Sequence, residues 1–527
     1  MPRFPVIIIL TTLLFSCQGP HFDTLIRKGT VYDGSGAPGK TTDIGIEDGK
    51  IKAVGNLKRA TADTIIEAVG LAVAPGFIDL HTHLEPLLEL ADCESHLRQG
   101  VTTALGSPDG SGPFPLKPYL DTLESIGTGM NVGFLVGHNT VRNRVMGLDN
   151  RAPSPAELDS MRRLIAQGME DGAFGISTGL KYLPGNFAKT DEVIELSKEA
   201  AQRGGFYTSH LRDEGLQLLD GVGEAIQIAA GANIPVVLTH HKVIGKSMWG
   251  ASTQTLAMID SARARGLDVM ADQYPYLASY TGIAVLIPSW AMANDGKTGF
   301  VDRLKDPILR DSIRKGILFN LERDRGGGDL RRIQFAKVAW MPELEGKTLY
   351  DWVVMEQMEP TLENGAELVI RAQVNRGASC IFHAMDEEDV VRIMQHPQTM
   401  IASDGRLVRP GDGHPHPRWY GTFPRVLGEY VRDKKVLPLE TAVYKMTGLP
   451  AKRMGLKDRG LLQAGFAADI TIFDPNTVAD LSTYEKPHQY PSGIQYVLVN
   501  GRFAVREGIF RDVRTGQVLR GPATKIQ

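Results

Sequence analysis

Within Ala74–Glu85, A-P-G-F-I-D-L-H-T-H-L-E, two histidines, His81 and His83, end a short apolar run. In a strand alternate side chains project from the same side, so the two imidazoles would stand together as half of a metal site. Taken alone, such a pair is as readily two ordinary strand-end histidines. Ligand chemistry recurs, however, after other short apolar runs. Asp109 follows G-V-T-T-A-L-G-S-P, His138 lies in G-H-N, His210 ends S-H, and His240 opens H-H-K, while Asp404 lies in A-S-D-G. His210 and His240 are one β–helix–β repeat apart, which would put both on the same rim. Four histidines (81, 83, 210, 240) and two carboxylates (109, 404) converging there suit zinc, bound through imidazole and carboxylate ligands.

Zinc lowers the pKa of a bound water toward neutrality and polarises a carbonyl. A carboxylate at the edge of such a centre can take the water's proton and deliver it to a leaving nitrogen. Asp404 is the candidate for that role, since it ends the last apolar run. Its alternative is an Asp-Gly turn residue, a common use of that dipeptide.

Alternating short strands and amphipathic helices would position these residues. Strand candidates are Gly76–Leu80, Val101–Leu105, Val132–Val136, Ala173–Ser177, Gly205–Thr208, Pro235–Thr239, Leu267–Asp272 and Thr399–Ser403. Helix candidates include Pro155–Met169, Thr190–Arg203, Gln217–Ala230 and Thr253–Arg265. Eight strands interleaved with helices predict an α/β fold, a (β/α)8 barrel over residues 76–456 whose chemistry sits at the C-terminal strand ends. The span exceeds the roughly 250 residues such barrels take. The surplus falls at about 283–378, where periodicity is poor and Gly326-Gly327-Gly328 marks a loop, so a lid or subdomain is expected beside the site. Residues 22–75 and 457–527 read as strands and hairpins, with Asp48-Gly49 and Asn500-Gly501 as turn signals. Pairing of the two ends would give a small β-sandwich domain.

Composition adds exclusions rather than clues. The chain has 527 residues, 42% of them hydrophobic, 23% charged, and a formal net charge of −3. That balance gives no electrostatic reason to invoke nucleic acid or an acidic membrane surface. Residues 1–17 read as an export signal, with Arg3 ahead of an apolar stretch. Leu14-Phe15-Ser16-Cys17 resembles a bacterial lipobox, despite the bulky Phe15, so the protein is expected to be exported and lipid-anchored at Cys17, with plain secretion as the alternative. Cys93 and Cys380 then remain, and are expected to be buried free thiols.

Together these residues resemble the amidohydrolase superfamily and, within it, the N-acyl-D-amino-acid deacylases (D-aminoacylases). The resemblance covers almost the whole chain after the signal. It is carried by A-P-G-F-I-D-L-H-T-H (74–83), G-H-N-T-V-R-N-R-V-M-G (137–147), G-A-F-G-I-S-T-G-L-K-Y (172–182) and S-H-L-R-D-E (209–214). It continues in H-H-K (240–242), D-Q-Y-P-Y (272–276), A-S-D-G (402–405), H-P-R (416–418), G-T-F-P-R-V-L-G (421–428) and K-P-H-Q-Y-P-S-G-I (486–494).

The resemblance implies a tight zinc on His210 and His240, a weaker second position lined by His81 and His83, and Asp404 as general acid/base. It also implies a substrate α-carboxylate held by Lys242, Tyr274 and Arg418 with Ser279 nearby, and Tyr182 in the substrate-binding set. An ammonium and a guanidinium can clamp a carboxylate, the guanidinium in bidentate fashion. One departure stands out. Many members carry a ligating cysteine in a G-N-C-G turn, where this chain has Ser107-Pro108-Asp109-Gly110. Aspartate is a harder ligand that can bridge two cations, which makes a two-metal site more plausible. Lys181 is the fallback bridging candidate.

The expectation is therefore a zinc-dependent hydrolase, with one or two ions, acting on N-acyl-D-amino acids or small D-residue peptides by attack of metal-bound hydroxide. A cyclic-amide hydrolase of hydantoinase or dihydroorotase type, or an isoaspartyl-like dipeptidase, keeps the chemistry and changes the substrate. A metal-binding surface lipoprotein without turnover is the reading from a different class.

Overall fold

The computed structural model describes residues 19–293 and 299–524. The export segment and Cys17 lie outside the described residues. At the centre, eight parallel strand positions close into a (β/α)8 barrel. Phe77–Asp79, Val101–Gly106 and Asn131–Phe134 pair in that order, and Val136–Gly137 continues the third position past Leu135. From there the ladder runs through Gly175–Gly179, Phe206–His210, Val236–Leu238, Val269–Gln273 and Thr399–Ile401. Closure comes at the rim, where Gly405 and Arg406 pair in parallel with Thr82 and His83. The strands begin and end within about three residues of the sequence-based expectations; the fourth and fifth reach further toward the rim, to Gly179 and His210.

Between the strands stand amphipathic helices with readable ends. Pro155–Asp171 opens on a capping box, in which Ser154 Oγ accepts from the Glu157 amide and the Glu157 carboxylate accepts from the Ser154 amide. Inside the barrel, one end is filled by Ile78, Leu80, Leu105, Leu135, Phe174, Phe206, Val237, Met270 and Met400, and Leu449, Ala451 and Met454 of a short helix plug it from below.

Both ends of the chain share one nine-stranded sheet. Ala72–Pro75 pairs antiparallel with Ile470–Phe473 and parallel with His21–Val31, joining the two termini. The sheet folds over on itself, so that the Gly49 carbonyl accepts from the Ala468 amide and the Ile51 amide donates to Phe466. Asp48-Gly49 and Asn500-Gly501 turn their hairpins with positive φ at both residues, as a type I′ turn demands. One strand, Thr61–Glu67, has no counterpart in the sequence reading. It lies parallel to the first strand with its side chains largely exposed, so it lacks an apolar face to announce it.

The stretch between the last two barrel strands builds its own small core around Ile317, Phe335, Trp352, Val369 and Phe382. Its antiparallel sheet, Ser279–Gly282, Ser379–Phe382 and Ile333–Lys337, lies against the rim.

Candidate metal centre and substrate cavity

At the C-terminal strand ends, six ligand side chains converge. One group is Asp109, His210 and His240; the other is His81, His83, Asp109 and Asp404. Asp109 belongs to both. Its Oδ1 lies 3.5 Å from His81 Nε2 and 3.5 Å from His240 Nε2, and its Oδ2 lies 3.5 Å from His210 Nδ1 and 3.7 Å from His83 Nε2. Asp404 Oδ1 is 3.2 Å from His83 Nε2 and 3.6 Å from His81 Nε2.

These separations fit metal coordination better than hydrogen bonding. Ligand atoms about 2.0–2.1 Å from a tetrahedral zinc stand roughly 3.3 Å apart. A buried imidazole normally finds hydrogen-bond partners for its polar atoms. Among the described residues, His81 Nδ1 and Nε2, His210 Nε2 and Asp109 Oδ1 are buried without one. His210 Nδ1 and His240 Nε2 face each other at 2.7 Å, a hydrogen-bond distance, so the two rings would separate to about 3.3 Å to share a zinc. The donor set, nitrogen and carboxylate oxygen, is one that zinc takes.

Backbone strain marks the same place. Asp109, His240 and Asp404 all have positive φ, at 55°, 37° and 46°. Non-glycine residues in that region cost about 1–3 kcal/mol each and persist where the surroundings enforce them. Behind the rim, a buried carboxylate does some of this enforcing. Asp79 Oδ1 accepts from the amides of His81 (3.2 Å) and Ser403 (3.0 Å), while Oδ2 accepts from the Ser403 hydroxyl. One side chain thereby ties the strand ends carrying His81 and Asp404.

Electrostatics follow from this packing. Burial works to raise the Asp109 carboxyl, but the imidazoles of His81, His210 and His240 hold it well below the usual carboxylate range. Asp404 is likewise buried, yet Arg418, whose Nη1 is 2.9 Å from its Oδ2, and the neighbouring imidazoles keep it ionised. Burial also opposes charge on Lys242, and its partner Glu214 offsets only part of that, so the ammonium sits below its ordinary value.

A cavity of about 350 Å³ opens onto both ligand groups. Lys242, Tyr274, Ser279, Arg418 and Tyr182 all line it. The Tyr274 ring lies between the two cations, 5.6 Å from Lys242 Nζ and 4.6 Å from the Arg418 guanidinium carbon. Tyr182 packs on His210 with ring centroids 4.5 Å apart, and its hydroxyl meets Thr281 at 3.1 Å.

Other sequence candidates point elsewhere. His138 Nε2 meets Glu192 at 3.0 Å, His241 Nε2 meets the Thr255 hydroxyl at 2.8 Å, and Lys181 Nζ meets Asp213 at 3.1 Å. Cys93 and Cys380 are free and buried, and burial pushes the Cys93 thiol up to about 12, so neither stands in for a ligand. Among the lining residues not singled out from sequence are Glu214 and Arg325. Glu214 is buried between Lys242, His240 (3.1 Å) and His210 (3.7 Å). Arg325 reaches in from the insertion. Glu214 lies four residues after His210 inside a quoted motif, a spacing that could have flagged it; Arg325 sits in irregular chain with no such signal.

Known proteins resemble this chain in sequence and fold. The amidohydrolase family profile matches residues 64–278 and 353–505. A D-aminoacylase of Alcaligenes xylosoxydans xylosoxydans is 38% identical over 522 residues, covering 94% of this chain and 97% of its own. An N-acyl-D-glutamate deacylase of the same organism is 36% identical, covering 95% and 97%. Among solved structures, an N-acyl-D-glutamate deacylase of Bordetella bronchiseptica, complexed with zinc and a phosphonate mimic of the tetrahedral intermediate, superposes with a TM-score of 0.80 at 34% identity, over 95% of this chain and 100% of that one. A D-hydantoinase at 15% identity and a TM-score of 0.57 shares the fold alone. With a barrel rim that carries these ligand groups and relatives that match it from end to end, the chain belongs to the amidohydrolase family.

Proposed function

We propose that this protein is a zinc-dependent hydrolase of N-acyl-D-amino acids, cleaving the amide to release the free amino acid. The observation that carries the reading is the pairing of a two-group metal centre with two cations, Lys242 and Arg418, flanking Tyr274 in the same cavity. An amide held by that cavity has its carbonyl at the metal side and its free carboxylate at the cations. The D configuration rests on relatives at 34–38% identity, all of them deacylases named for D-amino acids.

In this reading His210, His240 and Asp109 would hold one zinc, and His81, His83, Asp404 and the shared Asp109 would line a second position. Zinc bound there would polarise the scissile carbonyl and acidify a water. Asp404 accepts the water's proton and passes it to the leaving nitrogen, which departs as a neutral amine. Arg418 and Lys242 grip the substrate carboxylate, with Arg418 offering a planar fork and Lys242 a point charge. Tyr274 fixes the spacing between them, and Ser279 and Tyr182 shape the wall. Asp109, in place of a cysteine, gives the centre a carboxylate with two oxygens, each of which lies within 3.7 Å of a histidine from both ligand groups.

The test is amine release by purified, zinc-loaded protein from paired N-acetyl-D- and N-acetyl-L-amino acids. Turnover confined to the D series is expected; equal turnover of both series, or none on any linear amide, overturns the reading.

Export belongs to the same proposal. Lipidation at Cys17 would place the hydrolase on the outer face of a bacterial membrane, where amides arriving from outside are met. Labelled palmitate entering the wild-type protein but not Cys17→Ala supports it, and equal labelling of both sinks it.

A further inference from the structure

A further guanidinium, that of Arg325, reaches the cavity, and neither the metal centre nor the carboxylate clamp uses it. Arg325 is 3% exposed, comes from the insertion, and lines the cavity beside Glu214. Its Nη2 is 3.8 Å from Glu214 Oε2 and its Nε is 3.7 Å from Asp324 Oδ2, both beyond hydrogen-bond reach. Among the described residues the side chain makes one hydrogen bond, from Nη1 to Ser279 Oγ at 3.4 Å, and its Nε is buried without a partner. The Phe382 ring, 5.8 Å from the guanidinium carbon, fixes the plane from one side.

A guanidinium carries five donors, and leaving a buried charge so poorly bonded is costly. Glu214 and Asp324 balance the charge from 3.8 and 3.7 Å but give its donors no hydrogen bonds, and Glu214 Oε1 is already committed to Lys242 and His240. Such a group is stabilised by an anion arriving in the cavity. The substrate's α-carboxylate already has Lys242 and Arg418, so the anion in question is a second one.

We propose that Arg325 binds a second carboxylate, on the substrate's side chain, and that the preferred substrates are N-acyl derivatives of acidic D-amino acids. The proposal rests on the deacylase reading above. Ser279 lines the cavity and accepts from Arg325 Nη1, so it would form the wall between that donor and the bound α-carboxylate. Position and chemistry agree: the residue is planar, permanently charged, desolvated and held in place on one face.

Steady-state kinetics on zinc-loaded protein decide it, with N-acetyl-D-aspartate, N-acetyl-D-glutamate and N-acetyl-D-leucine as substrates. For the wild type, kcat/KM for at least one acidic substrate should exceed that for the leucine derivative by about 100-fold or more, and the larger acidic value tells which chain length fits. In Arg325→Met that acidic-to-neutral ratio should fall at least 30-fold, chiefly through KM, and Arg325→Lys should recover part of it. A wild-type ratio below one overturns the proposal while leaving the deacylase reading intact, as does a ratio unchanged in Arg325→Met. Should Arg325→Met not fold, the wild-type ratio and Arg325→Lys decide alone. Failure to release amine from any of the three substrates contradicts the deacylase reading itself.

Discussion

Phe206 and His210 stand on one strand four residues apart and face the same interior, yet one belongs to the apolar floor of the barrel and the other to its polar rim. The register recurs in Met270 and Tyr274, and in Met400 and Asp404. On the floor, side chains are close-packed, and each buried Phe or Met contributes roughly 1.5–3 kcal/mol by leaving water. At the rim, the same strands end in positive-φ residues and in buried nitrogens and oxygens without hydrogen-bond partners. Stability is made at one end and stored as strain and unsatisfied polarity at the other. The two ends should therefore fail differently when altered.

The largest effect belongs to the rim. Asp404→Asn keeps size and removes the proton acceptor, so kcat should fall about 10²–10⁴-fold, the range ascribed to a positioned acid–base group. The thermal midpoint should stay close to the wild type. Retained turnover would deny Asp404 its role. A fall in midpoint matching the fall in activity would place Asp404 among the structural residues and erase the contrast.

Floor substitutions should reverse the pattern. Met400 is fully buried among apolar neighbours, and Met400→Ala should cost about 2–5 kcal/mol of stability. Denaturant or thermal unfolding measures that loss. Turnover per folded molecule should hold within a few-fold, and a 100-fold loss in folded protein would show that floor packing sets the rim geometry.

The smallest effect sharpens the comparison at the floor side. Lys445 donates to the carbonyls of His396 (2.5 Å) and Thr399 (2.9 Å), just where the last barrel strand begins. Burial pushes its ammonium down to about 7. An unfolded lysine titrates near 10.4. Between those values the unfolded chain holds a proton that the native chain lacks, so stability gains from this residue as pH rises through the window. Relative to Lys445→Met, the wild type should gain in thermal midpoint between pH 7 and pH 9.5. A gap that stays constant with pH would show that Lys445 remains charged in the fold.

Much of the barrel was legible because each strand is a short apolar run followed by a polar residue, and because amphipathic spacing marks helices such as Pro155–Asp171. The rim ligands were legible for the same reason: strand ends are fixed by period, and the period places the side chain. The cavity residues proposed to hold substrate were not legible from period. Lys242, Tyr274, Ser279, Arg418 and Tyr182 entered through family resemblance, since three of them lie in loops whose course depends on tertiary packing. Glu214 and Arg325 escaped both routes. Arg325 occupies irregular chain before Gly326-Gly327-Gly328, and only the folding of the insertion onto the rim brings it beside Ser279. The insertion's short strands, mostly buried and flanked by irregular chain, left no alternation to read. Strand Thr61–Glu67 was missed for the opposite reason, being mostly exposed.

Asp109 is where the two ligand groups meet, and its position makes the central claim directly measurable. Crystals of the zinc-loaded protein, with anomalous maps collected on both sides of the zinc absorption edge, locate the metal without any assumption about substrate. The expected result is a zinc peak within bonding distance of His210, His240 and Asp109, with any second peak on the other side of Asp109 toward His81 and His83. A protein that takes up zinc elsewhere, or holds none at these residues at millimolar zinc, would contradict the account.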